Sequence, residues 1–259
     1  ANIGTGFRAP YGFSEDLHLC SGSPRVWKSS NLKGERAISY NFSADYYGKW
    51  YQLSINLFRT NLKDKIQFSP ADDEVKKFGY SYQWENVDDA YVQGVELGAK
   101  ASLFRNFTAG LNWTFNKGKF KHERAEWSDP NDPSVQEFPQ RLQYAKDSRY
   151  ISRFPAMTGD IDLDYTPGTW SFSVTSSLQG KMYIDYNSDD DGKTSKIKKT
   201  NTFMIFNCRA AKRFGMCTVY AGAKNIFGYI QDEKHTDDAA FMYAPVYGAT
   251  WYVGLSVKL

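Results

Sequence analysis

Cysteine is scarce: an odd count of three cannot close a disulfide framework, and Cys20, Cys208 and Cys217 show no zinc-ligand spacing. They read as small apolar filler. No run approaches the roughly 20 apolar residues that a membrane-spanning helix needs, which excludes a helical membrane protein. The N-terminal stretch shows no basic-then-apolar signal segment. Net charge is only +3, too little to argue for nucleic acid as a partner. Histidine is rare as well, with His18, His122 and His235 all in polar connections. No nucleophile, base and orienting group come together on neighbouring strands, so the chain does not read as an enzyme and calls for no cofactor.

What the chain has in quantity is aromatic side chains, 17% of it, including 18 Tyr and 18 Phe, at a mean hydropathy of -0.58. Apolar and polar residues must therefore interleave, and they do so with period two. In "WSFSVTSSLQGKMYIDY", Trp170, Phe172, Val174, Leu178, Met182 and Ile184 share one parity, while Ser171, Ser173, Thr175, Ser177, Gln179, Lys181 and Asp185 share the other. "TGDIDLDY" and "FTAGLNWTFN" repeat the pattern. Helical periodicity competes nowhere over any length.

The alternation predicts about ten strands, a stub at 1–7 and then 35–47, 50–68, 84–104, 107–121, 150–166, 170–186, 202–214, 217–230 and 248–259. Connections alternate in kind. Gly48-Lys49, Arg105-Asn106, Pro167-Gly168-Thr169 and Gly215-Met216 are tight hairpin turns, whereas 8–34, 69–83, 122–149, 187–201 and 231–247 are long and polar. One plain end and one elaborate end suit an outer-membrane barrel with short periplasmic turns and long extracellular loops. A soluble sandwich or barrel shares the period, but its strands usually run five or six residues.

The point at which the alternation changes favours the membrane. Tyr51, Leu53, Ile55 and Leu57 are apolar, yet the same parity continues as Arg59, Asn61, Lys63 and Lys65. The apolar band thus ends after about nine residues, the length a tilted strand needs to cross hydrocarbon. The expected fold class is all-β, a transmembrane antiparallel up-and-down β-barrel with outer-membrane lipid as partner. Such a barrel must close, because an open edge in lipid leaves backbone groups unpaired. A first strand reduced to "ANIGTGF" therefore leads us to expect that its missing partners lie upstream.

"GTGFRAP", followed by "SSNLKGERAISYNFSADYY", resembles the paired signature of TonB-dependent outer-membrane receptors. Gly6, Phe7, Arg8, Ala9 and Pro10 match the first box, and Asn31 and Leu32 the second, with Gly34 where the family usually has Pro. "NVDDAYVQGVELGAKASLF", with Gly94 and Glu96, is similar to a later strand of the family, as are "VYAGAKNIFGYIQD" and the ending "MYAPVYGATWYVGLSVKL". The resemblance implies that residues 1–259 are the C-terminal portion of a barrel of about 22 strands, with plug domain and earlier strands upstream. It further implies a bacterial outer-membrane location and active uptake of a scarce, bulky nutrient, an iron-siderophore, haem or cobalamin, energised by TonB through the plug. A passive porin, a structural barrel or an oligosaccharide importer are the alternatives. Tyr252, Gly254, Val257 and Leu259 fit the terminal signal read by the barrel-assembly machinery, although Leu259 stands where the family usually has an aromatic residue.

Candidate ligand contacts are few. Phe78, Tyr80, Tyr82 and Trp84 share parity with Gly94 and Glu96, so they face the lumen mouth if no bulge intervenes at Asn86 to Asp89; otherwise they form an interfacial aromatic girdle. His18 lies between the two boxes, where haem receptors of the family often place a ligand, and it equally suits a solvated loop. "DYNSDDDGKTSK" departs from a calcium loop at Asp190 and Lys196, so no metal site is expected.

Overall fold

The computed structural model describes residues 1–10, 26–28, 31–70, 73–80, 82–122, 149–187, 195–231 and 243–258. Ten strands form one antiparallel sheet: β1 (Asn2–Arg8), β3 (Glu35–Tyr47), β4 (Tyr51–Lys63), β7 (Ala90–Phe104), β8 (Phe107–Phe120), β9 (Met157–Tyr165), β10 (Trp170–Gln179), β13 (Phe203–Phe214), β14 (Cys217–Lys224) and β15 (Thr250–Val257). They pair in that order, an up-and-down meander with β1 and β15 at its two edges. β2 (Val26–Lys28), β5 (Ile66–Pro70) and β6 (Tyr82–Asn86) make a separate small sheet, and β11 (Tyr183–Asn187) pairs with β12 (Ser195–Lys199). A single helical turn, α1 (Asp73–Lys76), sits between β5 and β6.

The ten strands match the sequence pattern closely because one register keeps every apolar parity on one face. Across the sheet, Ala44, Ile55, Leu97 and Trp113 are successive cross-strand partners, and so are Ala109, Leu163, Val174, Cys208 and Ala223. The opposite face carries Asp45, Ser54, Gly98 and Asn112, or Gly110, Asp162, Thr175 and Asn207. A slip of one residue in any pair would invert this arrangement, so the pattern itself fixes register. Among the described residues no core covers the apolar face: Leu53, Ile55, Leu57, Leu97, Phe115, Val174, Val253 and Leu255 are all exposed. A sheet with one continuous uncovered apolar face is built to meet hydrocarbon.

Hairpin chemistry closes the plain end. Gly215 has φ 58 at the first position of the two-residue turn between Phe214 and Cys217, which suits a primed turn, and Asn106 adopts φ 66 between Phe104 and Phe107.

Five expected strands fall short, all at the elaborate end. The 50–68 segment breaks at Asp64, with φ 54, and its remainder becomes β5. The 84–104 segment breaks at Val87–Asp89, leaving β6 outside the large sheet. The 170–186 segment breaks after Gln179, and Met182 and Ile184 turn into a small core with Phe203 and Tyr243 instead of continuing the exposed face. Ile184 is fully buried there. Residues 150–156 make one isolated bridge, Lys119 to Tyr150, and 225–230 contain no strand, with Asn225 at φ 51. Above the apolar band the chain no longer has to satisfy its backbone by ladder pairing alone, so strands can end in turns and local cores.

Candidate functional site

The polar face of the large sheet is a lattice of short hydrogen-bonding side chains. Ser43 donates to Asn56 Oδ1 at 3.0 Å, and Asn56 Nδ2 donates to Glu96 Oε2 at 2.8 Å, so Glu96 is held by its neighbours across three strands. Ser39 and Thr60 hydroxyls lie 2.9 Å apart, Ser177 donates to Asp160 at 2.8 Å, and Asn207 Nδ2 donates to Thr175 at 3.2 Å. Farther along this face Gln52, Ser54, Lys100, Thr108, Asn112, Asp162 and Asp164 line a shallow groove of about 420 Å³. Such a surface can hydrate and hydrogen-bond a polar solute. Among the described residues no cluster of His, Cys, Asp or Glu is arranged to hold a metal ion.

The elaborate end carries a small built platform on the same side. Leu32, Ile66 and Trp84 form its core with Val26 packed against them. Asn86 fastens it: its Oδ1 accepts from the Lys33 amide at 2.7 Å, and its Nδ2 donates to the Lys33 and Asp64 carbonyls at 3.0 and 2.8 Å. The Ile66 amide donates to Glu35 Oε2 at 2.9 Å, which joins the platform to the large sheet.

The two signature boxes meet here. The Arg8 guanidinium lies 5.6 Å from the Trp84 ring centre, and Leu32 packs on the same Trp84. Gly34, the departure from the usual Pro, sits where an added Cβ would lie 3.3 Å from the Arg8 carbonyl oxygen and 3.9 Å from Pro10 Cδ. Ala9 and Pro10 follow β1 directly, Asn31 is exposed beside the core, and Phe7 points to the apolar side at 83% exposure. Gly94 lies on the polar face beneath the Phe58 ring.

The aromatic candidates do not stay together. Trp84 is 4% exposed and serves the platform core, so it offers little face to a ligand. Phe78 is 69% exposed in the turn after α1, and Tyr80 packs edge-on against Trp27 at 5.2 Å. Tyr82 begins β6. Because Val87–Asp89 leave the ladder, parity counted from Gly94 does not carry through to these residues. His18, the calcium-like stretch 188–194, His235 and Leu259 lie outside the described residues. Of the terminal signal, Tyr252 and Gly254 are on the polar face and Val257 on the apolar one. Sequence reasoning missed Asn86 and the Asp88–His122 contact, since neither shows a motif. His122 Nδ1 stands 3.0 Å from Asp88 Oδ1, while the His122 amide donates to Asp88 Oδ2 at 2.7 Å.

Comparison with known proteins places this architecture. The family model described as TonB dependent receptor-like, beta-barrel, matches residues 1–226. The Vitamin B12 transporter BtuB of Vibrio vulnificus strain YJ016 is 30% identical over 139 residues, 53% of this chain and 18% of that protein. Among solved structures, the copper transporter OprC superposes with a TM-score of 0.63 at 21% identity, covering 98% of this chain and 35% of OprC. The siderophore receptor PirA from Pseudomonas aeruginosa gives 0.62 at 16% identity, covering 98% of this chain and 38% of PirA. The chain thus spans less than two fifths of the length of each of these three proteins. With the uncovered apolar face, the polar inner face and the two boxes joined at Trp84, these matches establish that the chain belongs to the TonB-dependent receptor β-barrel family of Gram-negative outer membranes.

Proposed function

We propose that the receptor to which this chain belongs takes up a scarce, bulky nutrient across the outer membrane, energised by TonB acting on an upstream plug domain. Within it, this chain forms ten strands of barrel wall and part of the extracellular binding surface. The observation that carries the reading is the division of one register into an apolar face without a core and a polar face lined by Glu96, Asn56, Asp162 and Lys100. That is a wall between hydrocarbon and a water-filled passage. The proteins it resembles, a vitamin B12 transporter, a copper transporter and a siderophore receptor, are transporters and receptors and not enzymes. They support a metal, a metal chelate or cobalamin as cargo class, and haem stays beside these on the sequence resemblance alone.

Phe78 and Tyr80, with Tyr82, are the proposed ligand contacts, since rigid aromatic surface gives large contact area at low entropic cost. Trp84 is a positioning residue for them. His18 remains the proposed haem-ligating alternative. Tyr252, Gly254 and Val257 with Leu259 are the proposed assembly signal.

The test is uptake by cells in which the full receptor is the sole route, with cobalamin, a ferric siderophore and haemin offered separately, with and without TonB. TonB-dependent uptake of one of the three is expected, weakened by Phe78→Ala or Tyr80→Ala at unchanged barrel assembly. Uptake indifferent to TonB would instead identify a passive pore. Loss on His18→Ala with both aromatic variants intact would assign haem and demote the aromatics to a girdle.

A further inference from the structure

On the polar face near the elaborate end, two rows of the large sheet border a pocket of about 700 Å³. Thr114, Thr158, Gln179 and Phe203 are cross-strand partners in one row, and Asn112, Asp160, Ser177 and Ile205 in the next. Thr158, Asp160, Ser177 and Gln179 supply the polar side of the pocket, while Met182, Phe203 and Tyr243 form a buried apolar wall.

The wall is set in place without a ligand. Thr200 brackets Met182: its Oγ1 accepts from the Met182 amide at 3.1 Å, and its amide donates to the Met182 carbonyl at 2.9 Å. The Tyr243 amide donates to Gln231 Oε1 at 3.2 Å, the Tyr243 carbonyl accepts from Gln179 Nε2 at 3.3 Å, and the Phe203 and Tyr229 rings stack with centres 5.0 Å apart. Arg153, at the rim, holds φ 55, and its amide donates to the Tyr183 carbonyl at 2.7 Å. A left-handed backbone at a bulky residue is unfavourable and persists where its surroundings hold it, as they do at ligand clamps. A preformed wall also lowers the ordering cost of binding.

The polar side presents acceptors. Ser177 Oγ donates to Asp160 Oδ1 at 2.8 Å, and Gln179 spends its amide nitrogen on Tyr243. Among the described residues that leaves Asp160 Oδ2, Gln179 Oε1 and the Thr158 hydroxyl without partners. Arg153 is the cation of this lining and Asp160 its anion. Asp162 and Asp164 continue the inward row of β9, and among the described residues none of the three carboxylates forms an ion pair. An anionic cargo therefore meets like charge with no cationic surplus to offset it. A cargo with uncharged N–H donors meets acceptors instead. A pocket of this size holds a drug-sized group, so a bulky nutrient would place one edge in it. Of the cargo classes proposed above, haem carries propionates along its edge and ferric catecholates are anionic, whereas a corrinoid ring is fringed by primary carboxamides.

We propose that this pocket binds the carboxamide fringe of a corrinoid, with Thr158 and Gln179 accepting from it, and that Asp160 turns anionic chelates away. The proposal rests on the uptake reading above and narrows its cargo.

The experiment uses the full receptor, purified in detergent, with cyanocobalamin, ferric enterobactin and haemin as separate probes in equilibrium binding. Cyanocobalamin should bind about tenfold or more tightly than either anionic probe. Thr158→Val and Gln179→Met should each weaken cyanocobalamin about fivefold, through loss of one hydrogen bond. Ser171→Ala, at the short-turn end of β10, should leave it unchanged. Asp160→Asn keeps an acceptor for Ser177, so it should hold cyanocobalamin within about twofold while tightening ferric enterobactin about tenfold. Heat-modifiable gel migration checks that each variant assembles, and should Gln179→Met not, Thr158→Val and Asp160→Asn decide. Tighter wild-type binding of an anionic probe, no binding of cyanocobalamin, indifference to Thr158→Val and Gln179→Met, or unchanged discrimination in Asp160→Asn would overturn the proposal. Failure of the uptake reading would appear separately, as cyanocobalamin uptake by cells that does not require TonB.

Discussion

Gly94, Gly159, Gly222 and Gly254 each sit directly across the ladder from an aromatic residue, Phe58, Trp113, Tyr252 and Tyr220 respectively. A Cβ added at any of them would run into that ring. Glycine ordinarily weakens a strand, and here the ring lies over the bare backbone and restores packing. Gly254→Val should therefore destabilise the assembled barrel by about 1–3 kcal/mol. Gly110→Val, where the nearest atom is 3.7 Å from an ideal Cβ, should cost clearly less. Urea titration in detergent, followed by heat-modifiable gel migration, would show the difference. Face identity is testable at the same scale. Arg at Ile55, Leu163 or Val174 should cost about 2–4 kcal/mol near the midplane, and Arg at Ser54, Asp162 or Thr175 far less. Equal penalties on the two parities would contradict a lipid-facing surface.

The strands of the large sheet were legible because their signal is repeated by every neighbour: Leu163, Val174 and Ala109, each of apolar parity in its own strand, fall opposite one another on one face. Strand ends were not. Met182 and Ile184 keep the parity of Val174, yet Gly180 and Lys181 leave the ladder and the two side chains enter a core with Phe203 and Tyr243. Alternation is a local property and carries no mark of which sheet a strand joins. For the same reason the aromatic series from Phe78 to Trp84 could not be placed by counting from Gly94. The boxes were visible as motifs, but their meeting at Trp84 depends on contacts far apart in sequence.

One such junction should respond to acid. Burial alone would raise the Asp88 carboxyl, but hydrogen bonds from the His122 amide, the His122 ring and the Asp89 amide outweigh it and hold the group below its ordinary value. The contribution is present above the ordinary carboxylate value and is lost as pH falls through the lowered one. Protection of the Lys121 and His122 amides from hydrogen exchange, corrected for intrinsic rates, should fall over that acid window in wild type. In Asp88→Asn it should vary little with pH.

For the molecule as a whole, two ends of different character imply two sides of a membrane. Single cysteines at Gly48, Asn106, Gly168 and Gly215 should resist an impermeant thiol reagent applied to intact cells, whereas cysteines at Lys77 and His122 should react. Labelling of the short turns from outside would mean that the barrel sits in the membrane the other way up.

The sharpest test is a spin-label scan of Tyr51 to Thr60 in the full receptor within lipid, reading collision with oxygen, which partitions into hydrocarbon, against a polar nickel chelate. Odd positions through Leu57 should favour oxygen, even positions should favour the chelate, and from Arg59 upward the outward parity should favour the chelate too. A scan without period two, or with both parities shielded from oxygen, would contradict a chain that forms the wall between lipid and lumen.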